Sequence, residues 1–211
     1  MTTSERRPRA GASRVGRPRR SSPVMLEEAA AELFLEQSYD GTTIDEISTR
    51  AGVARTTFFN YFGSKGDLLW VELDAAIPRL RAALDAPEGP TPGLESVEAA
   101  LSRVADGISA ARVPWAIAHR DLMGTTAELQ ATGLARLLEV VDVIARHLSR
   151  REPTLGDAGA RAAASAIAGA AMAGAAQWIG TGTARGPLAD HIREAVQPVI
   201  VGWRARIGAV D

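Results

Sequence analysis

The chain of 211 residues has no cysteine. Disulfides and thiol chemistry are therefore excluded, which suits a reducing cytosol. It has a single lysine, Lys65; every other basic side chain is arginine. The three histidines, His119, His147 and His191, lie far apart. Each lacks a second His or Cys at metal-ligand spacing. His119 and Asp121 are two residues apart, and on a helix such neighbours point in different directions. There is no G-x-S-x-G motif, and no Gly-rich phosphate loop follows a strand, because few stretches alternate as strands do. No enzyme activity, metal or cofactor is expected from this inventory.

The stretch that carries most information is Thr42 to Leu69, TTIDEISTRAGVARTTFFNYFGSKGDLL. Thr43 and Glu46 have the spacing of a capping box, in which each side chain accepts from the other residue's backbone N–H. Ile44, Ile47 and Ala51 follow on one apolar face. Gly52 stands where the chain must turn sharply, since only Gly takes a left-handed conformation without penalty. Val53 can plug the angle beyond it. A second helix, Ala54 to Phe62, directs Phe58 and Phe62 inward and leaves Arg55, Thr56, Phe59 and Asn60 on the other side.

That is a helix-turn-helix, and its outer face suits a major groove. Arg can bridge O6 and N7 of guanine, Asn can pair with adenine, and Thr or an aromatic edge can touch a thymine methyl. Tyr61 and Lys65 lie further along and suit phosphate oxygens. The alternative is an ordinary pair of packed helices with solvated polar residues.

Taken together, Thr42-Thr43-Ile44, Glu46-Ile47, Ala51-Gly52-Val53, Thr57-Phe58, Tyr61-Phe62 and Ser64-Lys65 resemble the DNA-binding domain of the TetR family of bacterial transcriptional regulators. The resemblance covers residues 24–70. Two positions depart from the family pattern. Ala54 stands where Ser often starts the second helix, so one cap is missing. Phe59 stands where a Tyr is common, which replaces a polar contact with an apolar one. ARTTFFNYFGSKGDLLW with the following LDAAIPRLRAAL is also similar to actinobacterial regulators associated with the mycofactocin redox system.

The resemblance implies an all-α protein: an N-terminal three-helix DNA-binding domain and a C-terminal helical domain for ligand binding and dimerisation. The expected division is a basic arm over 1–20, the helix-turn-helix domain over 21–67 and the second domain over 68–211. The DNA-binding set is then Thr43, Arg55, Thr56, Thr57, Phe59, Asn60, Tyr61 and Lys65, joined by Arg17, Arg19 and Arg20 of the arm. Partners implied by the resemblance are a double-stranded operator, a second copy of the chain and a small apolar ligand, with acyl-CoA thioesters among the candidates. The implied role is a cytoplasmic repressor released from a pseudo-palindromic operator. The alternative is a ligand-independent dimeric activator or architectural protein.

The arm holds seven arginines against one acid, Glu5, and cannot bury enough apolar surface to fold alone. It contains no apolar stretch of signal-peptide length. Gly16-Arg17-Pro18-Arg19-Arg20 resembles an AT-hook core, in which Arg-Pro-Arg lies in a narrow minor groove; a merely solvated tail is the plainer reading. The net charge of −1 hides an uneven distribution. Residues 1–66 carry ten basic and eight acidic groups, and 67–211 carry fourteen and seventeen. The near-neutral total therefore does not argue against nucleic acid.

Beyond the motif the pattern is helical almost throughout. Ser22 and Pro23 start the first helix, and Leu26, Ala29, Ala30, Leu33 and Phe34 form its core stripe. A helix from about Ser64 meets Pro78, which should kink or break it. Further helices are expected at about 94–111, 114–123, 126–151, 156–180 and 187–207. Ala162 to Ala184 carries no charge, long enough for a membrane span. Its Ala and Gly content instead points to a buried helix packed closely on a neighbour. The resemblance places the dimer interface on the last two helices, and Leu188, Ile192, Ala195, Val199 and Trp203 form a stripe that suits it. Trp70, Leu73, Ile77, Trp115, His119, Met123, Leu137, Val141 and Trp178 are candidates to line a pocket; for each, plain core packing is the alternative.

Overall fold

The computed structural model describes residues 22–86, 91–108, 115–182 and 186–208. The arm, with Arg17, Arg19 and Arg20, lies outside the described residues. Among those described there is no strand. In chain order the elements are α1 (Ser22–Gly41), α2 (Ile44–Arg50), α3 (Arg55–Phe59), a 3₁₀ turn (Lys65–Trp70), α4 (Val71–Asp85), α5 (Gly93–Asp106), α6 (Trp115–Ala118), α7 (Arg120–Met123) and α8 (Thr126–Arg151). A second 3₁₀ turn, Pro153–Leu155, leads into α9 (Gly156–Gly180), and α10 (Leu188–Gly208) closes the fold.

The expected boundaries hold closely for α8, α9 and α10 and less well elsewhere; the helix expected over 94–111 ends at Asp106. Pro78 neither breaks nor interrupts α4; the discontinuity comes earlier, at Trp70 (φ −119°, ψ 9°), where the 3₁₀ turn gives way to α-helix. The helix expected over 114–123 is two short helices separated at His119 (φ −117°, ψ 25°). The rod expected over 54–62 is α-helical only from Arg55 to Phe59 and then closes as a turn. Near its end α1 contains Ser38 at φ 65°, a strained value for a residue with a Cβ. The Thr42 hydroxyl donates to the Ser38 carbonyl at 2.8 Å, which holds this exit.

Two apolar clusters organise the molecule. The first is built on the expected stripe of α1, with Ile47, Phe58, Phe62, Leu68 and Leu69. It also draws in Ala116 and Met123 from α6 and α7, and Trp115 packs against it. The Trp115 ring lies 5.7 Å from Phe34, centroid to centroid, and its Nε1 donates to Glu27 at 3.2 Å. The second cluster joins α4, α5, α8, α9 and α10 and is dominated by Ala, Val, Ile and Leu. Buried His147 sits inside it, with Nε2 2.6 Å from Ser96 Oγ and Nδ1 3.0 Å from the Leu84 carbonyl. That histidine is a core cross-link between three helices.

Helices α9 and α10 approach closely because Gly174 faces the α10 backbone. A Cβ built there would lie 2.5 Å from the His191 carbonyl oxygen. The span 153–180 is long and apolar enough to cross a membrane, yet α9 packs on both α8 and α10. The stripe expected to meet a second copy is largely turned inward. Leu188 and Ile192 are buried in the chain's own core, with Val199 and Trp203 packed against it. Gln197, Pro198, Val201 and Gly202 are exposed on α10, together with Asp190, Arg193, Glu194, Arg204 and Arg206. The reason is register: an apolar stripe goes to the nearest apolar neighbour, and α9 and α5 supply it within the chain.

Candidate nucleic-acid interface and the joint behind it

The α2 start forms as its sequence requires. The Thr43 N–H donates to the Glu46 carboxylate at 2.8 Å, and the Glu46 N–H donates to the Thr43 hydroxyl at 3.2 Å. Donation from the Thr43 backbone holds the Glu46 carboxyl below the usual range. Gly52 takes φ 69°, and the Val53 N–H donates to the Ser48 carbonyl at 3.0 Å, closing the turn. At the other end of α2, Arg50 reaches back to α1, with Glu36 at 2.7 Å and Glu32 at 3.2 Å. This pins the two helices at a set angle.

Ala54 caps α3 with no side-chain bond, as its identity requires. Phe58 is fully buried and Phe62 nearly so, their rings 5.5 Å apart. The opposite face carries Arg55, Thr56, Phe59, Asn60 and Tyr61, all exposed, with Thr57 half-buried. Phe59 and Tyr61 are 47% and 52% exposed, which water alone does not favour for rings. Arg55 is held in place rather than free. Its guanidinium pairs with Asp45 at 2.5 Å and stacks over Phe59 at 5.5 Å. The result is a short helix presenting a guanidinium, an amide, hydroxyls and aromatic edges together, a donor set suited to base edges in a major groove.

The Lys65 ammonium, expected to meet phosphate, lies against backbone carbonyls at the exit of α1. Nζ donates to the Tyr39 carbonyl at 2.6 Å and the Thr42 carbonyl at 2.8 Å. It also lies 4.0 Å from the Tyr39 ring centroid. Burial pushes its pKa below the usual lysine value. Burial likewise raises the Tyr39 phenol, with Glu128 and Asp40 adding to the effect.

Behind this face a joint connects the reading unit to α8. Asp67 accepts from the N–H groups of Gly63 and Ser64 at 2.9 and 3.0 Å. Its other oxygen accepts from Arg136 at 3.3 Å. Arg136 also donates to both oxygens of Asp74, at 2.7 and 2.9 Å, and stacks over Trp70 at 5.2 Å. Trp70 Nε1 donates to the Thr132 hydroxyl at 2.8 Å. The two carboxylates hold the Arg136 guanidinium above its usual pKa, Asp74 contributing most. A groove of about 450 Å³ opens beside this joint, lined by Asp67, Asp74, Ile77, Pro78, Ala135, Arg136 and Glu139.

Eight of the nine pocket candidates lie in or against the two clusters. Met123 is buried in the first cluster, with Trp70 and Trp115 against it. Ile77, Val141 and Trp178 are buried in the second, with Leu73 and Leu137 against it. His119 is exposed. Trp178 Nε1 donates to the Gly186 carbonyl at 2.8 Å, so it serves the α9–α10 corner. Of the nine, only Ile77 lines the groove. Sequence reasoning did not find Asp45, Asp67 or Arg136. Ser64 and Asp67 carry a legible signal, the Ser-x-x-Asp spacing of a helix start. Arg136 carries none, since its partners are more than sixty residues away.

Family comparisons agree with this geometry. Residues 26–70 match the family model of bacterial regulatory proteins, tetR family. The chain belongs to the TetR family: it is a DNA-binding transcriptional regulator and not an enzyme. Within the family its second domain is of a particular kind, because residues 91–204 match the MftR C-terminal domain.

A Mycobacterium tuberculosis protein named as the mycofactocin biosynthesis transcriptional regulator MftR is 30% identical over 142 residues, 66% of this chain and 70% of its own length. The regulator TcmR of Streptomyces glaucescens is 32% identical over 139 residues, 64% of this chain and 61% of its own. Among solved structures, the regulator FadR from Bacillus subtilis, in complex with stearoyl-CoA, superposes with a TM-score of 0.57 at 18% identity. That alignment covers 85% of this chain and 98% of the other.

Proposed function

We propose that the protein is a dimeric, ligand-responsive repressor that acts in the cytoplasm on a pseudo-palindromic operator. The observation that carries this reading is the outward face of α3, where Arg55, Thr56, Phe59, Asn60 and Tyr61 are exposed side by side. A two-fold pair of such faces reads two half-sites about one helical turn apart. The exposed side of α9 supports the pairing: Ala162, Ser165, Ala166, Met172, Ala173 and Ala176 form a face without charge. Met172 is 58% exposed and Val201 on α10 is 52% exposed in the single chain. A second copy would cover both.

The ligand in this reading presents a largely apolar acyl chain, as an acyl-CoA thioester does beside its anionic nucleotide. The fold similarity to FadR with stearoyl-CoA supports the class. Binding among the middle helices would act through the Arg136 joint on the 3₁₀ turn and so on the spacing of the two heads. Moving the operator from mostly occupied to mostly free requires a preference for the released state of about 5 kcal/mol.

The test begins with a duplex selected by the wild-type protein from a randomised pool. Arg55→Ala and Asn60→Ala should each lose about 1–3 kcal/mol of discrimination between that duplex and a scrambled one. Unaltered preference in both variants would refute the α3 assignment. Stearoyl-CoA added to the complex should lower its affinity. If neither stearoyl-CoA nor a short-chain thioester does so, the ligand-independent alternative replaces induction. Sedimentation of the free protein should report two chains.

A further inference from the structure

The Arg55 guanidinium has two neighbours of different kinds. One is the Phe59 ring, a turn further along α3, at 5.5 Å. The other is the Asp45 carboxylate of α2, which accepts from Nη1 at 2.5 Å. Phe59 is placed by the core, since its ring meets the fully buried Phe58 edge-on at 5.4 Å. Asp45 is placed by the start of α2. The Thr43–Glu46 box fixes that start and occupies the Glu46 carboxylate. Asp45 is the other acid of the same first turn, and it reaches α3 instead. On α3 itself the first turn holds no acid, and Ala54 offers no side-chain cap.

Fold stability does not account for this pair. Arg55 is 56% and Asp45 64% exposed, and ion pairs so open to water contribute little to folding. A carboxylate on this face is also repelled by the phosphates of a duplex, so it opposes DNA of any sequence. What the pair does is fix a pose. A long arginine side chain loses rotamer freedom when it is held against a base edge, and one held beforehand loses less. With Nη1 given to Asp45, the Nε–Nη2 edge is the fork that matches O6 and N7 of guanine.

We propose that Asp45 is a positioning residue for base recognition: it holds Arg55 in the pose that reads guanine and sets sequence specificity without itself contacting DNA. The inference rests on the reading of α3 as the recognition helix. In its test, wild type, Asp45→Asn, Asp45→Glu, Arg55→Ala and the Asp45→Asn/Arg55→Ala double variant each select duplexes from a randomised pool. Base frequencies are then compared position by position. The Arg55→Ala profile marks the base pair that Arg55 reads. At that pair, Asp45→Asn should lower the preference for guanine about tenfold, the scale of ordering one arginine anew. Asp45→Glu keeps the charge and should lie nearer wild type. Affinity of Asp45→Asn for a scrambled duplex should be no weaker than that of wild type, since a repelling charge is gone. In the double variant the Asn should add nothing at that pair, as for two residues that act through one another.

An Asp45→Asn profile like that of wild type would overturn the proposal. So would a loss at that pair that persists beside Arg55→Ala, which would make Asp45 a direct contact. Equal weakening on selected and scrambled duplexes would also overturn it, by marking a merely structural role; the urea midpoint of Asp45→Asn, expected to match wild type, checks the same point. An unaltered Arg55→Ala profile would remove the reading of α3 and this inference with it. A relaxed Arg55→Ala profile beside an unaltered Asp45→Asn profile would remove this inference alone.

Discussion

The two apolar clusters solve the same packing problem with opposite materials. The reading head packs two short helices, α2 and α3, on α1, and large rings hold them: Phe34, Tyr39, Phe58 and Phe62 are buried, with Trp115 against them. The second domain is made of long helices, and on its central helix α9 small residues make the contacts. Ala160, Ala163, Ala164, Ala168 and Gly174 are the buried positions of α9, with only Ile167 and Trp178 among large groups. A helix of five or seven residues offers few inward positions, so each must bury much area. A helix of 25 residues can offer many contacts by letting backbones approach. The head therefore depends on single side chains, and the second domain on closeness of fit.

Substitutions can break this contrast. Phe58→Ala should have the largest effect, about 3–5 kcal/mol, since the ring is fully buried. DNA binding should vanish while sedimentation still reports a dimer, because the ring belongs to the head alone. Loss of the dimer as well would mean that the two clusters unfold together. Gly174→Ala probes the other material. The added methyl meets backbone rather than a flexible side chain. Overpacking of this kind costs about 1–3 kcal/mol, to be read from urea unfolding. No loss of stability would show that α9 and α10 can separate freely. Thr43→Ala is the mildest. It removes the cap of α2, worth about 1 kcal/mol, and should lower operator affinity only modestly. A loss as large as that of Phe58→Ala would mean that the cap, not the rings, holds the head.

Legibility followed distance along the chain. The Thr43–Glu46 box, the Gly52 turn, the uncapped Ala54 and the split of inward from outward rings on α3 were all readable, since each is settled by residues within one or two turns. The bounds of α8 and α9 were readable because their pattern runs long. The joint was not, because Arg136 finds Asp67 and Asp74 only when α8 crosses the 3₁₀ turn and α4. The placement of Trp115 and Met123 in the first cluster was hidden for the same reason. Their apolar character was evident, but which of two cores would take them was not.

By itself, the order of residues decided which segments coil, where they stop and which sides avoid water, because those outcomes depend on propensities, caps and periodicity over a few residues. Three-dimensional packing alone decided which surface each apolar side would meet. It turned the α10 stripe toward its own chain, drew α6 and α7 to the reading head and brought the lone lysine onto two carbonyls. Such choices compare contacts between residues remote in sequence, and no local pattern encodes that comparison.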